Sequence, residues 1–581
     1  MQIKKTLPRL QLILFRPHLL KGCLKFVQLF LLILPLSVAA QTTFLTQDDK
    51  ANILMERLEI KSRSDSFFNF SKTRPYPRLH VVNAVNHYLQ QNGNKSLSKV
   101  DAYNAQRVQM NNLEWLSAAD RAKFASKKPI LKRFYTSPAN LYEVHIKDFD
   151  LVINPVIQVI VSKEKDNDET LFLNTRGLTL RGKIANKIGF YTYLTDNQEK
   201  DPFYVRDWVN ARKAVPGEGF YKQFKQTGYD YFDARGYFTF NVTKYINVAF
   251  GYDKNFIGNG YRSMFLGDAG NSNLFLKLNT RIWKINYQNL FMELQSANIP
   301  GGDRLIPKKY AAMHHLDVSL TKWLNIGLFE GVIFGRKDKF DFSYLNPIIF
   351  YRSIEQQNGS FDNSVAGLDM KANLAKKIQL YVQFSLDEFL LSEITKSNGY
   401  WGNKWGIQAG AKYIDAFGIS NLDLQLEYNV IRPYTYSHRD SVANYTHYNQ
   451  PMAHQLGANF SEFIGVVRYQ PSPKWLAVAK LIYYQQGRDS NNVISYGSNI
   501  FLPNIIPPRQ GDFGHTLGSG WKTNVLYASF LLSYEFRENL FLELNAVYRK
   551  QETKTAPITS ANTSIVSFGV RWNMHRREFD Y

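Results

Sequence analysis

From residue 149 onward, apolar and polar residues alternate in blocks of about ten, each ended by a short turn or a long loop. The pattern is plainest near the C-terminus. Leu526, Ala528, Phe530, Leu532, Tyr534 and Phe536 share one face, and Tyr527, Ser529, Leu531, Ser533 and Glu535 share the other. The turn Arg537-Glu538-Asn539 leads into a second such block over 540–549. In the last block Val566, Phe568, Val570 and Trp572 oppose Ser567, Gly569, Arg571 and Asn573. Period two means strands with one apolar and one polar face. A soluble sandwich shares that pattern, but two features argue against it. The blocks have the length that crosses a bilayer at a tilt, and short turns alternate with long loops. After residue 40 no apolar run approaches the roughly 18 residues a membrane helix needs. In lipid, every backbone amide and carbonyl must be paired within the protein, which leaves a closed barrel without edge strands.

Eighteen strands are expected, at 149–161, 171–183, 187–195, 232–241, 245–253, 273–281, 284–294, 313–321, 324–335, 364–374, 377–387, 404–415, 421–431, 459–470, 474–486, 523–536, 539–549 and 563–574. Irregular edges in the first half leave sixteen or twenty open. An even number puts both chain ends on one side, read as the periplasm, with the short turns such as Pro471-Ser472-Pro473. The long loops, 196–231, 254–272, 295–312, 336–363, 388–403, 432–458 and 487–522, then face the cell exterior. The 35 Tyr and 41 Phe fit aromatic girdles, and a mean hydropathy of −0.33 fits strands wetted on one face. Ser567-x-Gly569-x-x-Trp572-x-Met574 resembles the signal read by the barrel-assembly machinery, although seven residues follow it.

Residues 1–40 carry Lys4, Lys5, Arg9, Arg16, Lys21 and Lys25, then an apolar run from Phe26 to Val38 and the small residues Ala39-Ala40. This is the pattern of a secretory signal peptide. Its removal lowers the formal charge from +22 to +16 and takes away Cys23, the only cysteine. The mature chain then has no disulfide, thiol nucleophile or thiolate metal site. Residues 41–148 read as a helical region, assigned to the periplasm. Expected helices are one capped by Thr46 and running through Lys61, then 79–89, 98–116 and a short one after Ser117. The organisation expected is therefore signal peptide (1–40), periplasmic helical region (41–148) and outer-membrane barrel (149–581).

The loop 432–458 combines flat rings with amides, hydroxyls and imidazoles. Rings that stack on sugar C–H faces beside polar groups that bind hydroxyls suit a glycan. Candidate contacts are Tyr434, Tyr436, His438, Tyr445, His447 and Tyr448, with Tyr400 and Trp401 from the preceding loop. The alternative for this loop is a plug held by its own hydrogen bonds. His438, His447 and His454 match no metal-site spacing, and no cofactor is expected. The alternation turns Asp369, Asp387, Glu427, Glu462 and Arg468 toward the lumen, with Lys371, Gln383, Ser385 and Gln425. A glycosidase would need two such carboxylates at a defined separation; a charged lumen balanced by Arg and Lys accounts for them more simply. Asn358-Gly359-Ser360-Phe361 is no nucleophile elbow, and no phosphate loop opens a helix. The basic residues are dispersed, which speaks against nucleic acid and suits lipopolysaccharide phosphates or an anionic glycan.

Several stretches together carry a resemblance. They are Gln357-Asn358-Gly359-Ser360-Phe361-Asp362-Asn363 with Gly367 and Asp369, then Asp387-Glu388-Phe389, then Glu427-Tyr428, Arg432-Pro433-Tyr434-Thr435-Tyr436-Ser437-His438, and Tyr445-x-His447-Tyr448-Asn449-Gln450-Pro451-x-Ala453-His454. They resemble the capsule-assembly Wzi family, in its gliding-motility RemB-like branch. The resemblance implies an eighteen-stranded outer-membrane barrel with a periplasmic helical bundle. It also implies a non-catalytic, lectin-like role in holding surface polysaccharide, with a part in gliding motility or adhesion. A porin or solute transporter is the competing expectation.

Overall fold

The computed structural model describes residues 42–581, apart from 48, 64, 66, 94–96, 298–304, 492 and 556. The expected signal peptide lies outside the described residues. Eighteen antiparallel strands close into one barrel. They are β1 Phe149–Glu164, β2 Leu171–Ile184, β3 Ile188–Lys200, β4 Gly228–Asn241, β5 Ile246–Asp253, β6 Asn273–Ile282, β7 Ile285–Gln295, β8 Lys308–Thr321 and β9 Leu324–Phe334. The second half comprises β10 Asn363–Leu374, β11 Ile378–Glu388, β12 Lys404–Tyr413, β13 Leu422–Ile431, β14 Phe460–Ser472, β15 Trp475–Arg488, β16 Trp521–Arg537, β17 Leu540–Thr553 and β18 Thr559–Trp572. The seam joins β18 to β1, from Ile565 opposite Glu164 to Trp572 opposite Ile157. Among the described residues no helix is long and apolar enough to cross a membrane.

The alternation sorts side chains as a barrel requires. In β8, Lys309, Met313, His315 and Asp317 are buried on the lumen side, while Leu320 is exposed on the outer face. Outside the strands the sequence expectations shift in two places. Helix α1, Lys50–Ser62, is capped by Asp49 rather than Thr46: the Asp49 carboxylate accepts from Ala51 N at 2.8 Å. A carboxylate beside the positive end of a helix is the better cap. Residues Tyr142–Ile146, near the end of the region read as helical but outside its expected helices, form a strand paired with the start of β1. Tyr142, Val144 and Ile146 alternate with Glu143 and His145, and the 147–148 turn returns this run directly onto β1.

Helices α2 (Arg78–Asn92) and α3 (Lys99–Met110) share a core with α1 built on Leu54, Leu58, Val81, Val85, Ala105 and Val108. Ion pairs tie this bundle to the barrel. Lys371 meets Glu59, Lys72 meets Asp369 and Asp317, and Arg57 meets Asp415 and Asp423. From the opposite side, the 254–272 loop folds inward until Phe256–Ile257 pairs with Thr73–Arg74. The last seven residues also turn inward. Asp580 receives Arg262 and Lys480, and Arg577 receives Glu199. A polar cavity of about 390 Å³ remains between the bundle, the 254–272 loop and this tail.

The connection between β9 and β10 behaves differently. It folds down the outside of the wall, where its Tyr344, Tyr351 and Ile354 cover the outward-facing Phe291, Tyr310, Ala312, Val332 and Phe334. Beneath it the outward-facing Glu330 accepts from Tyr351 N at 2.9 Å and Arg352 N at 2.8 Å.

Candidate functional site

The inward-facing polar residues act as brackets for the segments that fill the barrel. Glu427 accepts from Tyr261 N at 2.6 Å, Arg262 N at 3.1 Å and the Tyr381 hydroxyl at 2.8 Å. Gln383 Oε1 accepts from Met264 N at 2.6 Å. Asp387 accepts from Tyr436 N at 2.7 Å. Asp369 binds Lys72 and lies 2.8 Å from His315 Nε2. Glu462 lies 2.7 Å from His454 Nε2, and Arg468 reaches Glu56 at 3.0 Å. Among the described residues no group of His, Asp, Glu or Cys has the arrangement to hold a metal ion.

The 432–459 loop is the main plug of one end. Tyr434, Tyr436, His438, Tyr445, His447 and Tyr448 are all buried in it. Their polar atoms serve the protein itself. The hydroxyls of Tyr434, Tyr436 and Tyr445 donate to the carbonyls of Ser495, Met264 and Phe265 at 2.7, 2.6 and 2.8 Å. His447 donates from Nε2 to Ser272 O at 2.9 Å and accepts at Nδ1 from Gln295 N at 3.1 Å. Both ring nitrogens are therefore fixed in one neutral tautomer. Burial pulls the His447 pKa down from 6.5 to about 4. A histidine with a depressed folded pKa stabilises the fold above its unfolded value and loses that contribution as pH falls. The plug is thus expected to loosen between pH 6.5 and 4, by roughly 3 kcal/mol at most. Faster protease cleavage within 432–459 over that range checks this, and a His447→Asn protein should show a flatter pH response.

Tyr400 and Trp401 lie differently, half-buried at the rim. The loop after β11 and the loop after β15 meet there, with Trp401 N donating to Asp512 O at 3.0 Å. The Tyr400 ring lies 6.0 Å from Trp401 and 5.8 Å from Phe513. Arg509 covers the Trp401 ring at 4.1 Å, and its guanidinium is held by Asp512 and Asn504 O. Arg432 ties the two loops by donating to Tyr400 O at 3.2 Å and His515 O at 3.1 Å. Phe513 is 55% exposed. The result is an outward-facing aromatic shelf edged by the Asp512 carboxylate, with the Arg509 guanidinium buried against Trp401. Of the eight candidate contacts, only Tyr400 and Trp401 join it. The sequence reading did not single out Phe513, Arg509 and Asp512, because their loop (489–520) carries only scattered aromatics. The available signal was Gly511-Asp512-Phe513-Gly514, a ring presented between two glycines with positive φ.

Residues 218–502 match the family model of the capsule assembly protein Wzi. That stretch runs from the loop before β4 to the loop after β15 and takes in the inward-folded 254–272 segment and the 432–459 plug. Among solved structures the chain is similar to Wzi, described as an outer membrane protein involved in group 1 capsule assembly in Escherichia coli and a carbohydrate-binding β-barrel. The TM-score is 0.55 at 12% identity, covering 93% of this chain and 100% of that one. At that identity the likeness concerns the fold. OprD of Pseudomonas aeruginosa aligns with TM-score 0.40 at 10% identity over 73% of this chain and 96% of its own. OccAB2 of Acinetobacter baumannii aligns with TM-score 0.40 at 8% identity over 73% and 98%. No curated protein matches the sequence.

Proposed function

We propose that the protein is a Wzi-type outer-membrane barrel that holds surface polysaccharide, with the helical bundle in the periplasm and the aromatic rim outside. The observation that carries this reading is the rim itself. Tyr400 and Phe513 offer ring surface around half-buried Trp401, beside the exposed Asp512 carboxylate, the mixture of flat apolar surface and hydrogen-bonding groups that sugars require. The matched family and the barrel fold support it. The lumen carboxylates favour a binding protein over a hydrolase, since Glu427 and Asp387 are occupied by backbone amides. The filled lumen favours it over a porin. A role in gliding motility or adhesion would follow from gripping an exposed polymer, and lipopolysaccharide phosphates would meet the net positive surface. Deletion of the gene is expected to release polysaccharide from the cell surface into the medium, measured as the ratio of cell-bound to shed polymer. Unchanged retention would refute the reading. A glycan array with the purified barrel then identifies the sugar.

A further inference from the structure

The segment between β9 and β10 has a charged entrance and an uncharged tip. Lys337, Asp338, Lys339 and Asp341 precede it, and Arg352 and Glu355 follow. The ten residues from 342 to 351, Phe-Ser-Tyr-Leu-Asn-Pro-Ile-Ile-Phe-Tyr, carry no charge. One face of this tip is spent on the barrel wall through Tyr344 and Tyr351. The other displays Phe342, 79% exposed, and Ile348, 85% exposed, with Leu345 and Phe350 between and beside them.

Height along the wall places this display. The tip reaches low enough for the Tyr287 hydroxyl to donate to Pro347 O at 2.6 Å, and Tyr287 lies only four residues above the short turn at Trp283. Glu330, which holds Tyr351 N, lies seven residues above the turn at Trp323. At ~3.3 Å per residue and a tilt of ~40°, seven residues climb about 18 Å, inside an apolar band of about 25 Å. The bare wall beside and below the flap is apolar, with Leu328, Leu368 and Met370 exposed.

Irregular backbone faces hydrocarbon only when its polar groups are satisfied within the protein. Here several of the amides are provided for. Ser343 N and Tyr344 N donate to Asp341 at 3.1 and 3.2 Å, Ile348 N to Asn346 Oδ1 at 3.1 Å, and Ser353 N to Phe350 O at 3.1 Å. Tyr351 N and Arg352 N reach Glu330, and position 347 is a proline without an amide hydrogen. Arg352, at the edge of the tip, pairs with buried Glu355 and is long enough to reach toward the headgroups.

We propose that residues 342–351 form a flap inserted among the acyl chains of the bilayer, a lipid-binding surface laid over the barrel wall. This rests on the outer-membrane reading of the protein. The flap would widen the lipid-facing side of β7–β9 and cover Glu330 and His314, polar residues that otherwise point outward.

Cys23, within the expected signal peptide, is the only cysteine of the sequence, so single cysteines introduced into the exported chain report cleanly. Full-length Ile348→Cys, Phe350→Cys, Leu328→Cys and Lys337→Cys proteins are spin-labelled in detergent and reconstituted in phosphatidylethanolamine–phosphatidylglycerol liposomes with a nickel chelate on both sides. Folding is confirmed by the heat-dependent gel shift. Labels at 348 and 328 are expected to collide with oxygen in preference to the chelate, reversing the preference at 337, because water-soluble chelates are excluded from hydrocarbon. If position 348 or 350 meets the chelate as 337 does while 328 stays protected, the flap proposal is overturned and the barrel stands. Chelate access at 328 as well would overturn the membrane reading itself. Disulfide-linked dimers of the unlabelled Ile348→Cys protein in the liposomes would overturn lipid as the occupant and assign the surface to a second copy. Should Ile348→Cys not fold, Phe350→Cys and a Phe342→Cys protein decide the same question.

Discussion

Replacing Arg57 by alanine is expected to detach the helical bundle from the barrel and to cost about 3–5 kcal/mol, the usual effect of removing one partner from a buried charge cluster. Arg57 is 2% exposed. Its guanidinium spans Asp101 at 2.9 and 3.0 Å and Asp415 at 2.8 Å, and it also holds Asp423. Asp101 belongs to α3, whereas Asp415 and Asp423 belong to the β12–β13 hairpin, so one side chain joins two helices to the wall. Burial opposes its charge, but the three carboxylates outweigh burial and hold its pKa above the ordinary guanidinium value. Without it, Lys61 alone would face Asp101 and Asp415. Arg57→Lys should recover only part of the loss, because an ammonium cannot make the forked contacts. The same junction predicts acid sensitivity. Burial raises the pKa of Glu56, but Lys412 and Arg468 outweigh it and bring it from 4.5 down to about 2. Asp415 falls from 3.8 to about 2, with Arg57 outweighing burial. Carboxylates with depressed folded pKa values stabilise fully above their unfolded values and lose that contribution as pH falls through the folded ones. Bundle attachment should therefore fail between about pH 4.5 and 2. Protease release of the bundle, followed against pH and in Arg57→Ala at neutral pH, measures both; wild-type resistance in Arg57→Ala would sink the assignment.

The strands were legible because a period of two is a local property, repeated eighteen times with turns between. Their inward residues were legible for the same reason: Asp369, Glu427 and Glu462 follow from parity alone. The partners of those residues were not. Nothing near Glu427 in sequence announces that it will hold Tyr261 N, because that contact spans 166 residues and depends on how a loop folds inward. The 432–458 loop drew attention by its rings and imidazoles, yet a glycan site and a self-bonded plug use the same residue types. Only geometry shows that Tyr434 and Tyr445 donate to main-chain carbonyls. The wall flap did leave a trace. His314 and Glu330 stand at outward positions of β8 and β9, where the alternation calls for apolar residues, and both lie beneath Tyr351. A polar residue on the wrong face of a barrel strand is a signal that something covers it.

The aromatic rim makes the sharpest functional test. Trp401→Ala is expected to weaken polysaccharide binding by about thirtyfold, near 2 kcal/mol, as truncation of a central interface tryptophan does. Phe513→Ala is the cleaner variant, since its ring is more than half exposed and supports little of the fold. Surface substitutions of that kind usually change stability by under about 0.5 kcal/mol, so a binding loss there reads as lost ligand contact. Arg509 would keep Asp512 and Asn504 O after either change, which preserves the loop path. Tyr434→Ala should behave in the opposite way. Its ring is enclosed against Trp401 at 6.3 Å and His515 at 5.0 Å, and its hydroxyl serves Ser495 O. That protein should lose its heat-shift stability along with binding, whereas Tyr434→Phe, giving up one hydrogen bond worth about 1 kcal/mol, should still bind. Affinity for purified surface polysaccharide, read beside the unfolding temperature of each variant, separates these outcomes. If Phe513→Ala and Trp401→Ala both bind as the unaltered protein does, the rim is not the glycan site. If Tyr434→Phe alone abolishes binding at unchanged stability, the ligand enters the plug that these hydrogen bonds close.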